Sequence, residues 1–348
     1  MTHYQTIMTT EFPAEWQIGG AVLVAWPHAE TDWAPMLGDV DRCYTDLVTV
    51  LAREATVVIL TPEPDRVRGL LGDVDPTKLL IVEQDTDDTW TRDYGPLTVV
   101  RDGKPVFLDF QFNGWGLKFA AANDNLASQR LKEKGVLRAE MECRRGFVFE
   151  GGSIESDGKG TLLTTSECLL SPNRNAEMSR EDIEEYLKAT FGARKVLWLD
   201  HGALEGDDTD SHIDTLARLA PHDTILYTGC QDAADSHHDS LTRMAEQLRT
   251  FRTEQGMPYN LIELPLPDAI YDEDGCRLPA TYANYLVTPS AVFMPVYGQP
   301  MKDRMACDLV RVAYPDHKVY PIDCNALIRQ HGSLHCATMQ LDSATICV

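Results

Sequence analysis

No Cys-x-x-Cys pair occurs among the nine cysteines of this 348-residue chain, and no cysteine–histidine spacing of the zinc-finger kind. A zinc site is therefore not expected, and no metal ligands are assigned. Scattered thiols in odd number suit a reducing compartment, where most are buried and one can be reactive. Long apolar runs are missing too. Stretches such as Ala21 to Trp26 are far too short to span a bilayer, and no charged-then-apolar leader opens the chain, so the expectation is a cytoplasmic protein with no membrane partner. Basic charge is scarce: 31 Lys and Arg stand against 54 Asp and Glu, a formal net charge of -23. With no basic patch to meet phosphates, nucleic acid is not an expected partner. A negative field draws in small cations, although acidity serves solubility equally well. No low-complexity linker or long charge run divides the chain.

A hydrophobic fraction of 43% supplies a substantial core. Along the chain a helix-like stretch followed by a strand-like one recurs. The first runs from Asp41 through Cys43, Leu47, Val50 and Leu51, with a strand from Ala55 to Leu60. Asn125 to Lys134 reads as helix, Gly135 stops it, and Val136 to Cys143 reads as extended. Ser179 can cap a helix with Asp182 three residues on; Ile183, Tyr186, Leu187 and Phe191 form its apolar stripe, Gly192 ends it, and Lys195 to Leu199 follows as strand. In the fourth copy Leu241, Met244, Ala245, Leu248 and Phe251 share a face, Gly256 and Pro258 signal a stop, and Asn260 to Leu264 is the strand. The fifth pairs a helix from Met305 to Val312 with a strand from Lys318 to Ile322. Gly146 to Ser156 reads as one strand, joined by an Asp157-Gly158 turn to Thr161 to Thr165. Five such units fit a quasi-repeated α/β architecture closing on itself. The pattern fits an ordinary doubly wound sheet equally well.

Several short runs carry chemically capable side chains. His212 and Asp214 flank Ile213, and on a strand the two would share one face. The loop before them, Gly206 to Asp210, is dense in carboxylates. Glu150 ends the apolar run Phe147-Val148-Phe149 and precedes Gly151-Gly152, whose missing side chains allow close backbone approach. Asp87 to Pro96 mixes acids with Trp90 and a turn. Cys336 follows the glycine-containing segment His331-Gly332-Ser333-Leu334-His335, as a nucleophile presented on a flexible loop would. His237-His238, in a run of Asp and Ser, reads as a solvated loop. Taken singly, each run has an ordinary structural reading: a surface pair, a solvated strand end, an inward-packed Trp90, a buried thiol.

Together, in order, they resemble the agmatine deiminase family. Phe12 to Trp16, Trp90 to Pro96, Glu150 to Asn175, Gly206 to Asp214 and Leu334 to Gln340 carry the resemblance, with Glu150-Gly151-Gly152-Ser153-Ile154, Thr161 to Asn175 and His335-Cys336 the most specific parts. It implies a pentein fold, a five-fold pseudo-symmetric α/β propeller of ββαβ-type units, as a single catalytic domain over residues 1–348. It implies Cys336 as nucleophile, His212 as general acid and base, Asp93 and Asp214 as acids binding a guanidinium, and Glu150 facing that group or orienting the imidazole. No cofactor is implied, and the partner is a small cationic guanidino substrate. The family's reaction turns agmatine into N-carbamoylputrescine and ammonia through an S-amidino-cysteine, a step toward putrescine and other polyamines; a homodimer is compatible with the family. Agmatine carries a distal ammonium, for which Asp87, Trp90 and Asp208 are suited. Two departures stand out. The approach to His335-Cys336 reads Gln330-His331-Gly332-Ser333 where the family has a Gly-rich, Asn-containing run. Tyr94 replaces a common Thr, and Arg92-Asp93-Tyr94-Gly95-Pro96 also resembles bacterial peptidylarginine deiminases. A protein-arginine deiminase, an amidino transferase and a non-catalytic pentein scaffold are therefore the competing readings.

Overall fold

The computed structural model of the chain describes residues 9–347. Among these residues the strands form five sheets. Each is built on one order: an antiparallel pair, a helix, then a strand parallel to the second of the pair. Leu97–Arg101 and Lys104–Gln111 pair antiparallel, and Glu140–Val148 returns parallel after the helix Ala127–Glu133. Ile154–Ser156, Thr161–Thr165 and Lys195–Leu199 repeat this around Arg180–Phe191. Ala217–Ala220, Thr224–Gly229 and Asn260–Pro265 do so around His238–Thr250, and Leu286–Val287, Ala291–Val296 and Lys318–Asp323 around Pro300–Ala313. In the remaining sheet Met339–Asp342 pairs antiparallel with Gly20–Ala25, which runs parallel to Thr56–Thr61 after the helix Leu37–Leu51. A late strand and an early one thus complete a single unit.

The parallel strands are covered on both faces, which is why Ala21 to Ala25 and Val57 to Leu60 are uninterrupted apolar runs with no exposed surface. The helices show the complementary pattern. Leu37–Leu51 buries Val40, Cys43, Tyr44, Leu47, Val48 and Leu51, positions three and four apart that make one stripe. At Arg180–Phe191 the expected caps form: Asp182 N–H donates to Ser179 Oγ at 3.2 Å, Ser179 N–H donates to Asp182 Oδ2 at 2.9 Å, and Gly192 ends the helix with φ 67°. No helix among the described residues is long and apolar enough to cross a membrane.

Boundaries differ from the sequence reading where a backbone group finds an earlier partner. The first helix starts at Leu37 rather than Asp41, and the last at Pro300 rather than Met305, because Pro300 sits in the first turn, where a missing N–H costs nothing. Val136 does not begin a strand. Its N–H and that of Leu137 fold back onto Leu131 O, so the strand is delayed to Glu140. The expected strand Gly146 to Ser156 is two strands in different sheets, Glu140–Val148 and Ile154–Ser156, broken by the single turn Gly151–Ser153. His237-His238 is not a solvated loop either. His238 begins a helix, and His237 is buried, accepting Glu205 N–H on Nε2 at 2.8 Å.

Candidate active site

The break at Glu150 is what turns that residue inward. Its side chain has no exposed surface, and both its oxygens accept from Arg174 Nε, at 3.0 and 2.8 Å. Arg174 is itself buried, and its other nitrogens reach Asp210 at 2.6 Å and Thr209 O at 2.9 Å. Burial favours a neutral Glu150, but His212 and Arg174 outweigh it and hold the carboxyl below its usual range.

His212 and Asp214 do not lie on a strand. His212 precedes a tight turn, Ile213–Thr215, entered through Asp210 and Ser211 with φ of 64° and 62°. The shared face expected from strand alternation is replaced by turn geometry, which still directs both side chains to one place. His212 Nδ1 is 3.6 Å from Asp93 Oδ1, and Nε2 is 3.7 Å from Glu150 Oε2. Both are ion-pair separations, longer than hydrogen bonds, and among the described residues neither ring nitrogen has a hydrogen-bond partner. Burial opposes a charged imidazole, yet Asp93, Cys168 and Glu150 together hold His212 protonated well above the usual histidine range.

Asp93 sits in the short helix Thr91–Tyr94. Thr91 Oγ1 fixes that turn by donating to Leu23 O at 3.0 Å and Ala337 O at 3.1 Å, and Arg92 N–H donates to Cys336 O at 3.1 Å. Asp93 then accepts from Gly152 N–H and from Trp115 Nε1, each at 2.9 Å. Burial pushes its carboxyl up to about 6, with Asp214 and Glu150 adding to the rise and His212 opposing it. Gly152 is required by crowding: a Cβ there would lie 2.7 Å from both Asp93 Oδ1 and His212 Nδ1 and 3.2 Å from Asp214 Oδ2.

Cys336 is buried in a turn-like segment and is not on a flexible loop. Ala337 and Thr338 donate back to Ser333 O and His335 O, and Asn284 Oδ1 accepts from both His335 N–H at 2.9 Å and Cys336 N–H at 3.3 Å. Asn284 Nδ2 donates to Cys336 Sγ at 3.2 Å, and the thiol lies 3.8 Å from Asp214 Oδ2. Asp214 Oδ2 also receives His335 Nδ1 at 2.7 Å, whereas Oδ1 is buried and has no partner among the described residues. Burial, then the charges of Asp214 and Asp93, raises the Cys336 thiol well above its usual range. Beneath this layer His335 Nε2 meets Glu15 at 2.8 Å and the buried Arg218 at 3.1 Å, and Arg218 also pairs with Glu155.

Cys336 and Asp93 open onto a solvent-connected cavity walled by Trp90, Trp115, Phe119, Gly332 and the carboxylates of Asp32, Asp88 and Asp208. No lysine or arginine is among its lining residues. Trp90 stacks at a tilt on Trp33, with ring centroids 5.8 Å apart, and lies against Gly332, where a Cβ would come 2.4 Å from the indole. Asp208 is at the rim, its carboxylate 3.8 Å from His331 Nδ1. Asp87 is not in the cavity wall. Its carboxylate accepts from Asn123 N–H at 2.6 Å and Asn123 Nδ2 at 2.8 Å, and the next residue, Asp88, faces the cavity instead.

Asn284, Arg174, Asp88 and Trp115 were not singled out from sequence. Arg174 lies within the run Thr161 to Asn175 and Asp88 within the run Asp87 to Pro96, so their positions carry a signal; Asn284 and Trp115 carry none strong enough to separate them from surface or core residues. Two groups bring three ligand-type atoms within 4.8 Å of one another: Glu150, Cys168 and His212, and Glu15, Glu155 and His335. Arg218 occupies the second.

Residues 11–341 match the pattern of the Porphyromonas-type peptidyl-arginine deiminase family. The chain is 31% identical over 352 residues to a Vibrio parahaemolyticus protein provisionally named agmatine deiminase, covering 95% of this chain and 96% of that one. A solved structure from Porphyromonas gingivalis, provisionally named arginine deiminase, superimposes with a TM-score of 0.92 at 44% identity over 97% of this chain and 100% of that one. A substrate-bound structure of C. jejuni agmatine deiminase, a serine variant, gives a TM-score of 0.89 at 34% identity, with 98% of each chain covered.

Proposed function

The chain belongs to the Porphyromonas-type peptidyl-arginine deiminase family, and from that premise we propose that it is an agmatine deiminase, hydrolysing agmatine to N-carbamoylputrescine and ammonia. The observation that carries the reading is the pair of buried carboxylates at the Cys336 thiol: Asp214 Oδ2 lies 3.8 Å from Sγ, Asp214 Oδ1 has no partner among the described residues, and Asp93 lines the cavity together with Cys336. A buried acceptor without a donor is costly, and a guanidinium supplies donors in a flat fork that two carboxylates can hold. Held so, its carbon faces Cys336 Sγ.

The reaction then has two halves. The thiol releases its proton to solvent as the sulfur adds to the guanidinium carbon, the protonated His212 gives its proton to the departing nitrogen, and ammonia leaves an S-amidino group on Cys336. A water molecule, losing a proton to His212, attacks the same carbon; the C–S bond breaks, and the ureido product departs as the thiol regains its proton. The substrate's own positive charge offsets Asp93 and Asp214, which otherwise keep the thiol protonated. Glu150, fixed by Arg174, faces Nε2 of the imidazole. Five sheets of ββαβ order, one of them joining late and early strands, support a pentein propeller and a single domain as the frame.

The far end of the cavity supports agmatine over free arginine. Asp32, Asp88 and Asp208 suit a distal ammonium, whereas an α-carboxylate would meet these acids and neither lysine nor arginine. Hydrolysis of peptidyl-arginine is the second reading, favoured by the family match and by Arg92-Asp93-Tyr94-Gly95-Pro96. The test is release of ammonia and ureido product from agmatine, free arginine and an arginyl peptide, with Cys336→Ser as control. Turnover of agmatine alone, lost in the variant, is expected. Preference for the peptide overturns the substrate, and no turnover of any of the three overturns the reading.

A further inference from the structure

We propose that Glu150, Cys168 and His212 form a binding site for a zinc-class divalent cation.

Cys168 is a second buried thiol at the site, one the reaction above does not use. It lies in the short helix Ser166–Leu169, with Sγ 3.9 Å from Glu150 Oε2. The same oxygen is 3.7 Å from His212 Nε2, and all three ligand atoms lie within 4.8 Å of one another. These separations are close to those a tetrahedral ion imposes. Bonds of about 2.1 Å to oxygen and nitrogen and about 2.3 Å to sulfur put neighbouring ligand atoms roughly 3.4–3.6 Å apart. The two separations from Glu150 Oε2 need contract by only a few tenths of an ångström.

The second observation is His212 itself. It has no exposed surface, and among the described residues neither ring nitrogen has a hydrogen-bond partner, although Nε2 points at Glu150. Buried polar atoms left without partners are uncommon and call for an occupant. One thiolate, one imidazole and one carboxylate match zinc; they suit neither magnesium nor calcium, which take oxygen ligands. Glu150 is kept anionic by Arg174, whose Nε binds the carboxylate edge and leaves Oε2 a lone pair toward the thiol and the imidazole. Asp93 stands 3.6 Å from the other ring nitrogen, where it can receive Nδ1–H and fix the ligating tautomer. Binding exchanges the Cys168 thiol proton and the Nε2 proton for the ion, and both protons pass to solvent. A metal there removes the proton carrier, so the bound protein is inactive in the reaction proposed above. The site itself does not depend on that reaction.

The test is zinc binding to the full chain, measured by competition with a chromophoric chelator, with zinc chloride as the only added ion. One zinc per chain is expected, retained within about threefold in Cys336→Ser and weakened at least tenfold in both Cys168→Ala and Cys168→Ser. X-ray absorption of zinc-loaded Cys336→Ser, which needs no change at the site, is expected to find one sulfur at about 2.3 Å among lighter neighbours. Absence of binding, full-strength binding in folded Cys168 variants, loss of binding in Cys336→Ser, or a sulfur-free zinc shell each overturns the site. None of these readouts uses turnover, so failure of the deiminase reading and failure of the metal site are separately visible.

Discussion

Asp214 holds one carboxylate oxygen 3.8 Å from Cys336 Sγ, so the thiol proposed as the nucleophile faces an anion. Burial and that neighbour keep the sulfur protonated, in contrast to thiols activated by a cation beside them. The first prediction follows. In substrate-free protein, alkylation of Cys336 by iodoacetamide, followed by peptide mass spectrometry, should still be accelerating between about pH 8 and about pH 10. Asp214→Asn should move the rise to lower pH. A rate already level near neutral pH would mean the thiolate exists without substrate.

The second concerns Asp88. Burial, with a contribution from Asp32, pushes its carboxyl up to about 7. Above that pH it is an anion in the cavity wall, so kcat/KM for agmatine should climb as pH rises through about 7. Asp88→Asn should remove that limb and leave the lower one belonging to Asp93. Stability runs the other way. The folded pKa lies above the unfolded value of about 4, so Asp88's contribution is full below about pH 4 and lost as pH rises through about 7. Melting temperature in Asp88→Asn should therefore fall less over that window. An unchanged pH profile in the variant would remove Asp88 from substrate binding.

The third is a stability effect. Arg174→Met removes the guanidinium hydrogen bonds from buried Glu150, leaving His212 at 3.7 Å as its remaining cation, and should cost about 3–5 kcal/mol in urea unfolding. Adding Glu150→Gln should recover much of the loss, because the charge that needed a partner is gone. If the double variant is less stable than Arg174→Met, the pair is not the source of the cost.

The fourth tests crowding. Gly152→Ala places a methyl group 2.7 Å from Asp93 Oδ1 and His212 Nδ1, which must part. A displacement of about an ångström at reacting groups costs on the order of 10²-fold in rate, and that loss should appear in kcat of a protein that still melts cooperatively. Wild-type kcat in Gly152→Ala would show that the contact is not tight.

Much of the frame was legible because it is local. The stripe on Arg180–Phe191, its cap at Ser179 and its stop at Gly192 need only neighbouring residues, and all appear. Glu150 was misjudged as part of one long strand because the change of sheet after Val148 depends on partners distant in sequence. His212 and Asp214 were placed together for the wrong reason: a turn, not strand alternation, aims them. Asp87 and Asp88 cannot be separated by composition. The choice is made by Asn123, whose two N–H groups hold Asp87 and leave Asp88 to the cavity. Asn284 was invisible, since an asparagine within an apolar stretch announces nothing until the chain folds it onto Cys336. Cys168 escaped attention for a related reason. Its partners at positions 150 and 212 come from other loops, so no sequence spacing could reveal them.

The pairing of Met339–Asp342 with Gly20–Ala25 also sets when the protein can begin to work. A ribosome delivers the early strand first and must finish the late one before their sheet can close. Cys336 lies immediately ahead of that late strand, and its backbone carbonyl is held by Arg92 from the early part of the chain. A nascent chain that has already folded its middle units thus has neither the Cys336 thiol nor the sheet that the late strand completes. The cavity wall that Cys336 and Asp93 share is therefore complete only after translation has passed the last of these strands.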